Sequence, residues 1–423
     1  MRKIIHHILL LIIRVLGTPR AHAAAKRTRQ PVSQQPKILL IHPGPLGALV
    51  LTTPVLHALK ASIPGVHVTM AVGPWSSEVV THHPGLDRLL IYNFPSYCSV
   101  SPRGLKSYLL LPGLARQLRR DNYDLAINLH RIFWWGAALL YLARIPRRIG
   151  YDIQPGSPFL THALPFPLPE RAVVSRLLTI SAGLHALEYP PLTEPYTPEC
   201  YPLHFQSIEA EQYWAVQFLQ SKGIAVATPI VVIHPGTSVE VKQWRPDAWT
   251  VCATALGRFL SDDLPVHFLL TGSEKERPLL EEIARGTEAS TTIVTDTTVG
   301  QLAALLRRAW LVLGVNSGPL HLAAALDTPT VRIFGPNDPR RYRAWGPQEM
   351  HAIVITTHRC STCSSIPCGR LHFQAQEVAA HFCVRLVSEQ RVLTATLELL
   401  SFIKQPTDSS PVGLSAAEKR SRG

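Results

Sequence analysis

The chain has 423 residues, of which 46% are hydrophobic and 17% charged, so it can bury the cores of two domains and does not have the composition of a disordered protein. Its formal net charge is +13, but seven basic residues and no acidic residue fall within residues 1–36. The remainder is mildly basic and carries no motif typical of RNA- or DNA-binding proteins, so nucleic acid is not expected as a partner.

The N-terminal tail, residues 1–36, contains an apolar stretch, Ile4–Leu16, interrupted only by two histidines and an arginine. This stretch is shorter than the roughly 20 residues that a helix needs to cross a bilayer. Three interpretations stay open: the tail lies on the inner-leaflet surface of a membrane, it is a disordered extension, or it is a signal peptide cleaved after Ala21–Ala23. The C-terminal tail, residues 404–423, is polar and expected to be disordered.

Apolar, strand-like runs alternate with helix-like segments in both halves of the chain, which predicts parallel sheets with helical crossovers. The predicted strands of the first half are Lys37–His42, His67–Val72, Arg88–Ile91, Asp124–Leu129 and Arg148–Tyr151. Those of the second half are Ile230–His234, Val266–Thr271, Thr292–Val294, Trp310–Val315, Thr330–Phe334 and Ala352–Ile355. The predicted helices include Leu51–Ser62, Gly113–Arg120, Arg171–Leu187 and Ser388–Ile403.

The tetrapeptide Ile-His-Pro-Gly occurs at Ile41–Gly44 and again at Ile233–Gly236, each time at the end of a predicted strand. Each copy is followed by a polar, Gly-containing loop and a helix-like segment, which is the opening of a nucleotide-binding α/β domain. The sequence therefore predicts two Rossmann-like, doubly wound domains that face a central cleft. Their expected bounds are residues 37–188 and 229–403, joined by a linker and entry helix at 189–228.

The segment with the most specific chemistry is Asn316–Ala325, which follows a predicted strand and begins a helix of small residues. Ser317, Gly318 and the next amides would lie at the helix N-terminus, where unpaired N–H groups and the helix dipole suit a pyrophosphate. His321 lies one turn into this helix, where it can donate to a phosphate oxygen. The alternative is an ordinary helix capped by Ser317.

Two further loops follow predicted strands of the second half. In the first, His234–Ser238 precedes Lys242, which would neutralise the charge of a leaving nucleoside diphosphate unless it is a solvated surface lysine. In the second, Thr271–Glu276, the Glu276 carboxylate could hold a ribose or a base edge, or serve only as a charge at a helix N-terminus.

Together these segments resemble glycosyltransferase family 9, the ADP-heptose:lipopolysaccharide heptosyltransferases, from about Lys37 to about Ile403. The loop Pro43–Pro54, the strand Tyr123–Asn128 and Arg148–Gly150 add to the resemblance. It implies a GT-B fold and an inverting transfer of a heptose-type sugar from a nucleotide donor to a hydroxyl of a bacterial cell-envelope glycan or glycolipid. It also implies donor contacts by Thr237, Ser238, Lys242, Gly272, Glu276, Asn316, Ser317, Gly318, Pro319 and His321.

The chain departs from this family in the loop after the first strand. The family uses an Asp there as general base for the acceptor hydroxyl, whereas this chain has Ala48, which cannot take a proton. His42 is the nearest titratable substitute, although a histidine that ends a buried strand is more often structural, and Asp87 and His130 are weaker candidates. Asn316 stands where the family usually has Asp, and a neutral amide should bind ribose hydroxyls less strongly.

Three functions therefore compete: a transferase, a catalytically impaired family member that binds nucleotide sugar or glycan, and a nicotinamide-dependent oxidoreductase. Ala48 supports the second. The third is disfavoured because Gly44–Gly47 lacks the three-glycine fingerprint and no acidic ribose-binding residue follows about 20 positions later. The expected location is the cytoplasm, with peripheral contact to the inner face of the cytoplasmic membrane.

Four cysteines form a C-x2-C-x4-C-x14-C pattern, namely Cys360, Cys363, Cys368 and Cys383. The pattern is compatible with a structural zinc ion, with reduced thiols or with a disulfide, and the histidines nearby are His358, His372 and His381. The other cysteines are scattered, as in proteins of a reducing compartment: Cys98, Cys200 and Cys252. No Asp-x-Asp motif follows a strand near the expected cleft, so catalysis is expected to need no cofactor.

Overall fold

The computed structural model describes most of the chain from residue 34 onward and parts of the N-terminal tail. The described residues are 6, 8–15, 17–19, 34–95, 106–166, 170–260, 265–360, 363, 365–371, 373 and 375–404. Features of the sequence analysis that lie outside them are the cleavage site Ala21–Ala23, the tail from residue 405, Cys98 and His372. Within the described ranges, no helix has the length and apolar composition needed to cross a membrane.

The first half of the chain forms a six-stranded sheet in which all neighbouring strands are parallel. Its strands are β1 Lys37–His42, β2 His67–Val72, β3 Arg88–Ile91, β4 Leu125–Asn128, β5 Arg147–Tyr151 and β6 His162–Leu164. They lie in the order β3-β2-β1-β4-β5-β6. The sequence analysis did not predict β6, because this short edge strand is largely exposed and has no apolar run.

The second half repeats the same topology. Its strands are β7 Ile230–His234, β8 His267–Thr271, β9 Thr291–Val294, β10 Leu311–Val315, β11 Thr330–Phe334 and β12 His351–Ile355. They lie in the order β9-β8-β7-β10-β11-β12 and are also all parallel. The two Ile-His-Pro-Gly peptides thus end the equivalent central strands β1 and β7. The prediction of two doubly wound sheets is confirmed.

Helices cover the sheets and connect the strands. We label the helical residues 6, 8–15 and 17–19 as α1. The other helices are α2 Leu46–Val50, α3 Thr53–Ser62, α4 Glu78–Thr81, α5 Lys106–Arg120, α6 Trp134–Leu142, α7 Ala172–Ala186, α8 Glu209–Ser221, α9 Pro246–Leu260, α10 Arg277–Gly286, α11 Val299–Arg308, α12 Gly318–Ala324, α13 Pro339–Tyr342, α14 Ala375–Val378 and α15 Glu389–Lys404. Short 3-10 turns lie at Ser157–Phe159, Glu240–Lys242, Glu274–Glu276 and Gln348–Met350.

Two helices differ from their predicted bounds. The helix predicted at Leu51–Ser62 is preceded by a separate short helix, α2, and starts as α3 with Pro54 in its first turn. A proline is tolerated in a first turn but would break a helix that continued from α2. Helix α5 begins well before the predicted Gly113 and passes through Pro112.

The two halves pack directly against each other. Helix α2 of the first half contacts α12 of the second, and α4 contacts α11. The Glu78 carboxylate accepts a 2.7 Å hydrogen bond from the backbone N–H of Val299, at the start of α11. Helix α2 follows β1, and α12 follows β10. The contacts between these helices therefore bring the carboxyl ends of the central strands of the two sheets face to face. Ligands of doubly wound sheets bind at such strand ends.

Candidate active site

The candidate site lies where the segments that follow β1 and β10 meet. A Cβ added to Gly47 would stand 2.9 Å from the Cα of Gly318 and 2.9 Å from Cδ2 of His321. A Cβ added to Gly318 would stand 2.8 Å from Cδ2 of Leu46. At Gly47 the close atom is backbone, so this position requires glycine, whereas a side chain at Gly318 would first displace Leu46. Helix α2, which carries Ala48, lies directly against the first turn of α12.

Replacing Gly47 by alanine should lower the free energy of unfolding by about 1–3 kcal/mol, because the added methyl must push α2 away from α12. Gly113→Ala is the matched control, since Gly113 lies inside α5 and a Cβ there meets nothing within 4 Å. That control should stabilise the protein by about 0.5–1 kcal/mol. Urea unfolding measures both, and a Gly47→Ala midpoint equal to that of the wild type would argue against this close contact.

Lys242 reaches the site from the loop after β7. It ends the 3-10 turn Glu240–Lys242, and its Nζ donates to the carbonyl oxygen of Asn316 at 2.9 Å. Burial lowers the pKa of Lys242 to about 8. No carboxylate of the described residues contributes to this shift. A partly buried ammonium group with no anionic neighbour among the described residues is suited to receive a negatively charged ligand.

His321 is buried in α12 and is held by Arg332 of β11. Nη1 of Arg332 lies 3.2 Å from Nδ1 of His321. A guanidinium group only donates, so Nδ1 is the acceptor and the imidazole proton is on Nε2. Burial, followed by the charges of Arg332 and Lys242, lowers the pKa of His321 well below its ordinary value. The ring is therefore neutral and keeps its Nε2–H as a hydrogen-bond donor.

The sequence analysis did not identify Arg332 as part of this site. Its side chain is fully buried and also donates to Oγ1 of Thr330 at 3.0 Å and to the carbonyl oxygen of Leu320 at 2.6 Å. Arginine is almost never fully buried without such partners. The signal in the sequence was a single arginine in the middle of an otherwise uncharged strand, β11.

Two polar atoms beside Lys242 lack protein partners. Oδ1 of Asn316 and Oγ of Ser317 are buried and form no hydrogen bond within the described part of the chain. An unsatisfied buried polar group costs about 1–3 kcal/mol. We attribute the ability of this site to bind a polar ligand mainly to these side chains and less to the helix dipole, because α12 has only seven residues. These side chains are suited to bind a polar ligand.

The loops after β7 and β8 meet at Glu276. Oε2 of Glu276 accepts hydrogen bonds from the N–H and the Oγ of Ser273, both at 2.8 Å. A Cβ on Gly236 would collide with Oε1 of the same carboxylate, so a side chain there would displace Glu276 from this position. The remaining predicted donor-binding residues lie in these loops or in the first turn of α12: Thr237, Ser238, Gly272 and Pro319.

In the first half, His42 ends β1 and is fully buried. The N–H of Gly44 donates to its Nδ1 at 3.2 Å, and Nη2 of Arg176 from α7 lies 3.4 Å from its Nε2. A neutral imidazole has one accepting nitrogen, so these two donors leave no lone pair free. Burial, then Arg176 and His130, lower the pKa of His42 well below its ordinary value. Arg176 was also absent from the sequence-based candidates.

Ala48, which stands where the family has its general base, lies next to His42. A Cβ added to Gly44 would stand 3.1 Å from the methyl of Ala48 and would collide with Cε1 of His42. The ring of His130, in the loop after β4, lies 5.8 Å from that of His42, and its buried Nδ1 has no hydrogen-bond partner among the described residues. Burial and two neighbouring arginines lower the pKa of His130 to about 4. Asp87 pairs with a lysine at the amino end of β3, so it is not brought to this site.

The cysteine pattern converges in the second half. The donor atoms of Cys360, Cys363 and His381 lie within 4.8 Å of one another, and Sγ of Cys363 is 3.4 Å from Nδ1 of His381. A small cavity is lined by all four cysteines of the pattern. Burial and the neighbouring Cys360 raise the pKa of Cys383 to about 12. No disulfide joins the cysteines that the structure describes.

Comparison with known proteins identifies the family. Residues 113–372, more than half of the chain, match the profile of glycosyltransferase family 9 (heptosyltransferase). Lipopolysaccharide heptosyltransferase 3 of Escherichia coli (strain K12) is 27% identical over 309 residues, which cover 71% of this chain and 82% of that protein.

Solved structures of the family share the fold. The family 9 glycosyltransferase of Veillonella parvula superposes with a TM-score of 0.69 at 20% identity, covering 86% of this chain and 97% of that one. The ADP-heptose lipopolysaccharide heptosyltransferase II of E. coli gives a TM-score of 0.63 at 18% identity, covering 87% and 100%. The two parallel sheets therefore form a GT-B fold, as the resemblance implied. The chain belongs to glycosyltransferase family 9 and is a glycosyltransferase.

Proposed function

We propose that this glycosyltransferase moves a heptose-type sugar from ADP-heptose to a hydroxyl group of a lipopolysaccharide-type glycan or glycolipid. The observation that supports it is the cluster around α12. It combines the partly buried Lys242, the neutral His321, and the oxygens of Asn316 and Ser317 that have no partner among the described residues. Such a set offers charge and hydrogen bonds to a diphosphate in a site shielded from water. The matching E. coli structure is that of an ADP-heptose enzyme.

The donor would bind to the second half, residues 229–403, and the acceptor to the first, residues 37–188. Glu276 and Asn316 would contact the ribose, and Gly318 would let the diphosphate approach the backbone. We place the reaction in the cytoplasm, at the inner face of the cytoplasmic membrane.

Inverting transfer requires the acceptor oxygen to attack the anomeric carbon while the bond to the diphosphate breaks. The diphosphate leaves with the electron pair, and Lys242 and the Nε2–H of His321 would stabilise its charge. The acceptor proton must go to a base. His130, whose Nδ1 has no partner in the described part of the chain, suits this role better than His42, whose two nitrogens both face donors.

A second candidate is a family member that binds nucleotide sugar with little turnover. Ala48 supplies no base, both nitrogens of His42 face donors, and the pKa of His130 is about 4. A base this weak removes a proton slowly near neutral pH. These observations favour slow transfer of the sugar, or no transfer at all.

Isothermal titration of the full-length protein with ADP, UDP, GDP and NADH tests both candidates. We expect ADP to bind most tightly. Preferential binding of NADH, or no binding of any diphosphate, would contradict the proposal. A transfer assay with ADP-heptose and a lipopolysaccharide-core acceptor then separates the transferase from the impaired member.

We further propose that the four-cysteine pattern and His381 hold a structural zinc ion. Three donor atoms already lie within 4.8 Å of one another, and the two remaining cysteines of the pattern line the same cavity, so these five residues can supply the four ligands of a tetrahedral set. The ion would brace the segment that precedes α15. That segment supports the donor loop, because Nε1 of Trp244 donates to the carbonyl oxygen of Val387 at 2.9 Å.

Purified protein should then contain about one zinc ion per chain, and Cys363→Ser should lose the ion and unfold at a lower temperature. Cys200→Ser is the control, because Cys200 is exposed and lies outside the pattern. Elemental mass spectrometry and calorimetry measure the two effects. Metal-free protein from zinc-replete cells, with an unchanged unfolding temperature in Cys363→Ser, would leave these residues as ordinary thiols.

A further inference from the structure

Helix α1 presents an apolar face to solvent. Four of its side chains are 46–60% exposed: Ile8, Leu11, Ile12 and Val15. Their spacing of three and four residues places them on one side of the helix. A contiguous exposed apolar stripe on a folded protein marks an interaction surface.

The opposite face of α1 is anchored on the first half of the protein. Nδ1 of His6 is hydrogen-bonded to the hydroxyl of Tyr108 at 2.5 Å, and its ring packs edge-on against Trp134. The hydroxyl of Tyr141 donates to the carbonyl oxygen of Arg14 at 2.9 Å. Helix α1 is therefore part of the folded body, and its apolar face has a defined position on it.

Helix α5 places two more exposed apolar residues next to Tyr108, the partner of His6. Leu109 is 72% and Leu110 48% exposed, and the exposed Arg116 and Arg120 lie further along the same helix. Neither α5 nor residues 1–36 contain an acidic residue, whereas residues 1–36 contain seven basic ones. Exposed apolar side chains bordered by positive charge are the combination that binds the surface of an anionic bilayer.

The start of α1 lies on the cleft side of the first sheet. His6 touches Trp134, the first residue of α6, and Arg14 touches Tyr141 near the end of α6, so the two helices run in the same direction. Helix α6 begins directly after the loop that carries His130, at the carboxyl edge of the sheet. The apolar face therefore begins close to the side of the cleft where the acceptor would enter.

We propose that this docking face, formed by Ile8, Leu11, Ile12, Val15, Leu109 and Leu110, seats the protein on an anionic bilayer. The apolar side chains lie among the lipid headgroups while the surrounding arginines contact lipid phosphates. The inference rests on the proposed function, because docking here holds the acceptor side of the cleft at the membrane that carries a lipid-linked acceptor.

Sedimentation of the full-length protein with vesicles of phosphatidylglycerol and phosphatidylethanolamine tests this proposal. Wild type should sediment with these vesicles and not with phosphatidylcholine vesicles. Leu11→Glu/Ile12→Glu should lower vesicle binding by about tenfold or more, because both side chains would enter the headgroup region. Val251→Glu/Phe259→Glu makes the same charge change at two exposed positions of α9 and should bind like wild type.

ADP affinity and the turnover of a water-soluble acceptor fragment should be equal in all three proteins. Failure of ADP to bind to wild type would therefore count against the proposed function and not against the docking face. Docking is refuted if wild type stays in the supernatant, or if the α1 variant sediments like wild type. It is also refuted if the only effect of that variant is to convert a dimer into a monomer. A membrane-bound protein whose first residue follows Ala23 would refute it too, because that protein lacks α1.

Discussion

Lys242→Ala should lower kcat by about 10²–10³-fold and weaken ADP binding with it. The ammonium group is partly buried and donates to the carbonyl oxygen of Asn316, so water would replace its interactions poorly. Single-turnover kinetics and titration calorimetry measure the two losses. Lys222→Ala, at an exposed position that ends α8, is the control and should behave like wild type.

The lowered pKa gives Lys242 a pH signature. In the free protein the ammonium is charged below about pH 8 and neutral above it. Above that pH, Lys242 must take up a proton when ADP binds. The affinity for ADP should therefore fall by up to about tenfold per pH unit as the pH rises.

Lys242→Arg separates this effect from the titration of other groups. Its guanidinium keeps its charge throughout the range, so its ADP affinity should vary little between about pH 7 and 9.5. Calorimetry in buffers of different ionisation enthalpy would detect the proton taken up by wild type. If both proteins lose affinity in parallel, Lys242 is not the group that titrates.

The strands were predictable because central strands of a parallel sheet are buried on both faces and read as short apolar runs that end at glycine or proline. Lys37–His42 and Ile230–His234 are found at their predicted bounds. Two elements, β6 and α2, were missed for two different reasons. β6 is largely exposed, and α2 lies in Leu46–Val50, a five-residue segment whose apolar pattern is too short to show a period.

The site could be predicted only in part. The motifs pointed to Lys242 and Asn316 separately, but their contact joins segments 74 residues apart and depends on how the loops after β7 and β10 pack. Arg332 and Arg176 had no motif, because an arginine inside an apolar segment does not reveal which histidine it will face. The roles of the donor-binding residues stay predictions.

His42 shows the limit of ranking a base by its distance along the chain. It is close to Ala48 in sequence and in space, as expected. The sequence did not reveal that α7 would bring Arg176 to the far side of the ring. With Gly44 on the other nitrogen, the geometry leaves His42 neutral and without a free lone pair, and it shifts the proposed base role to His130.

Ala48→Asp should raise kcat by about 10²-fold or more, since a positioned general base contributes about 10²–10⁴-fold. Ala48 is half-buried in α2, next to Gly47, which touches Gly318 and His321. A carboxylate there would stand where the acceptor and the leaving diphosphate meet. The positive charge of Arg176, which faces His42, would favour the ionised form of this carboxylate.

Ala48→Asn has the same shape without the basicity and should leave kcat unchanged. His130→Gln should slow the wild type but have little effect in the Ala48→Asp background, because the new carboxylate would replace the histidine. If His130→Gln slows both proteins equally, His130 does not act as the base.

The absolute transfer rates of wild type and Ala48→Asp distinguish an active transferase from an impaired family member. A wild type as fast as Ala48→Asp would mean that another group already supplies the base, and His42→Gln would test the nearest one. Background rates in both proteins, with ADP still bound, would mean that more than the base is missing. The impaired member would then be the correct interpretation, because restoring the proton acceptor cannot rescue a cleft that no longer aligns acceptor and donor.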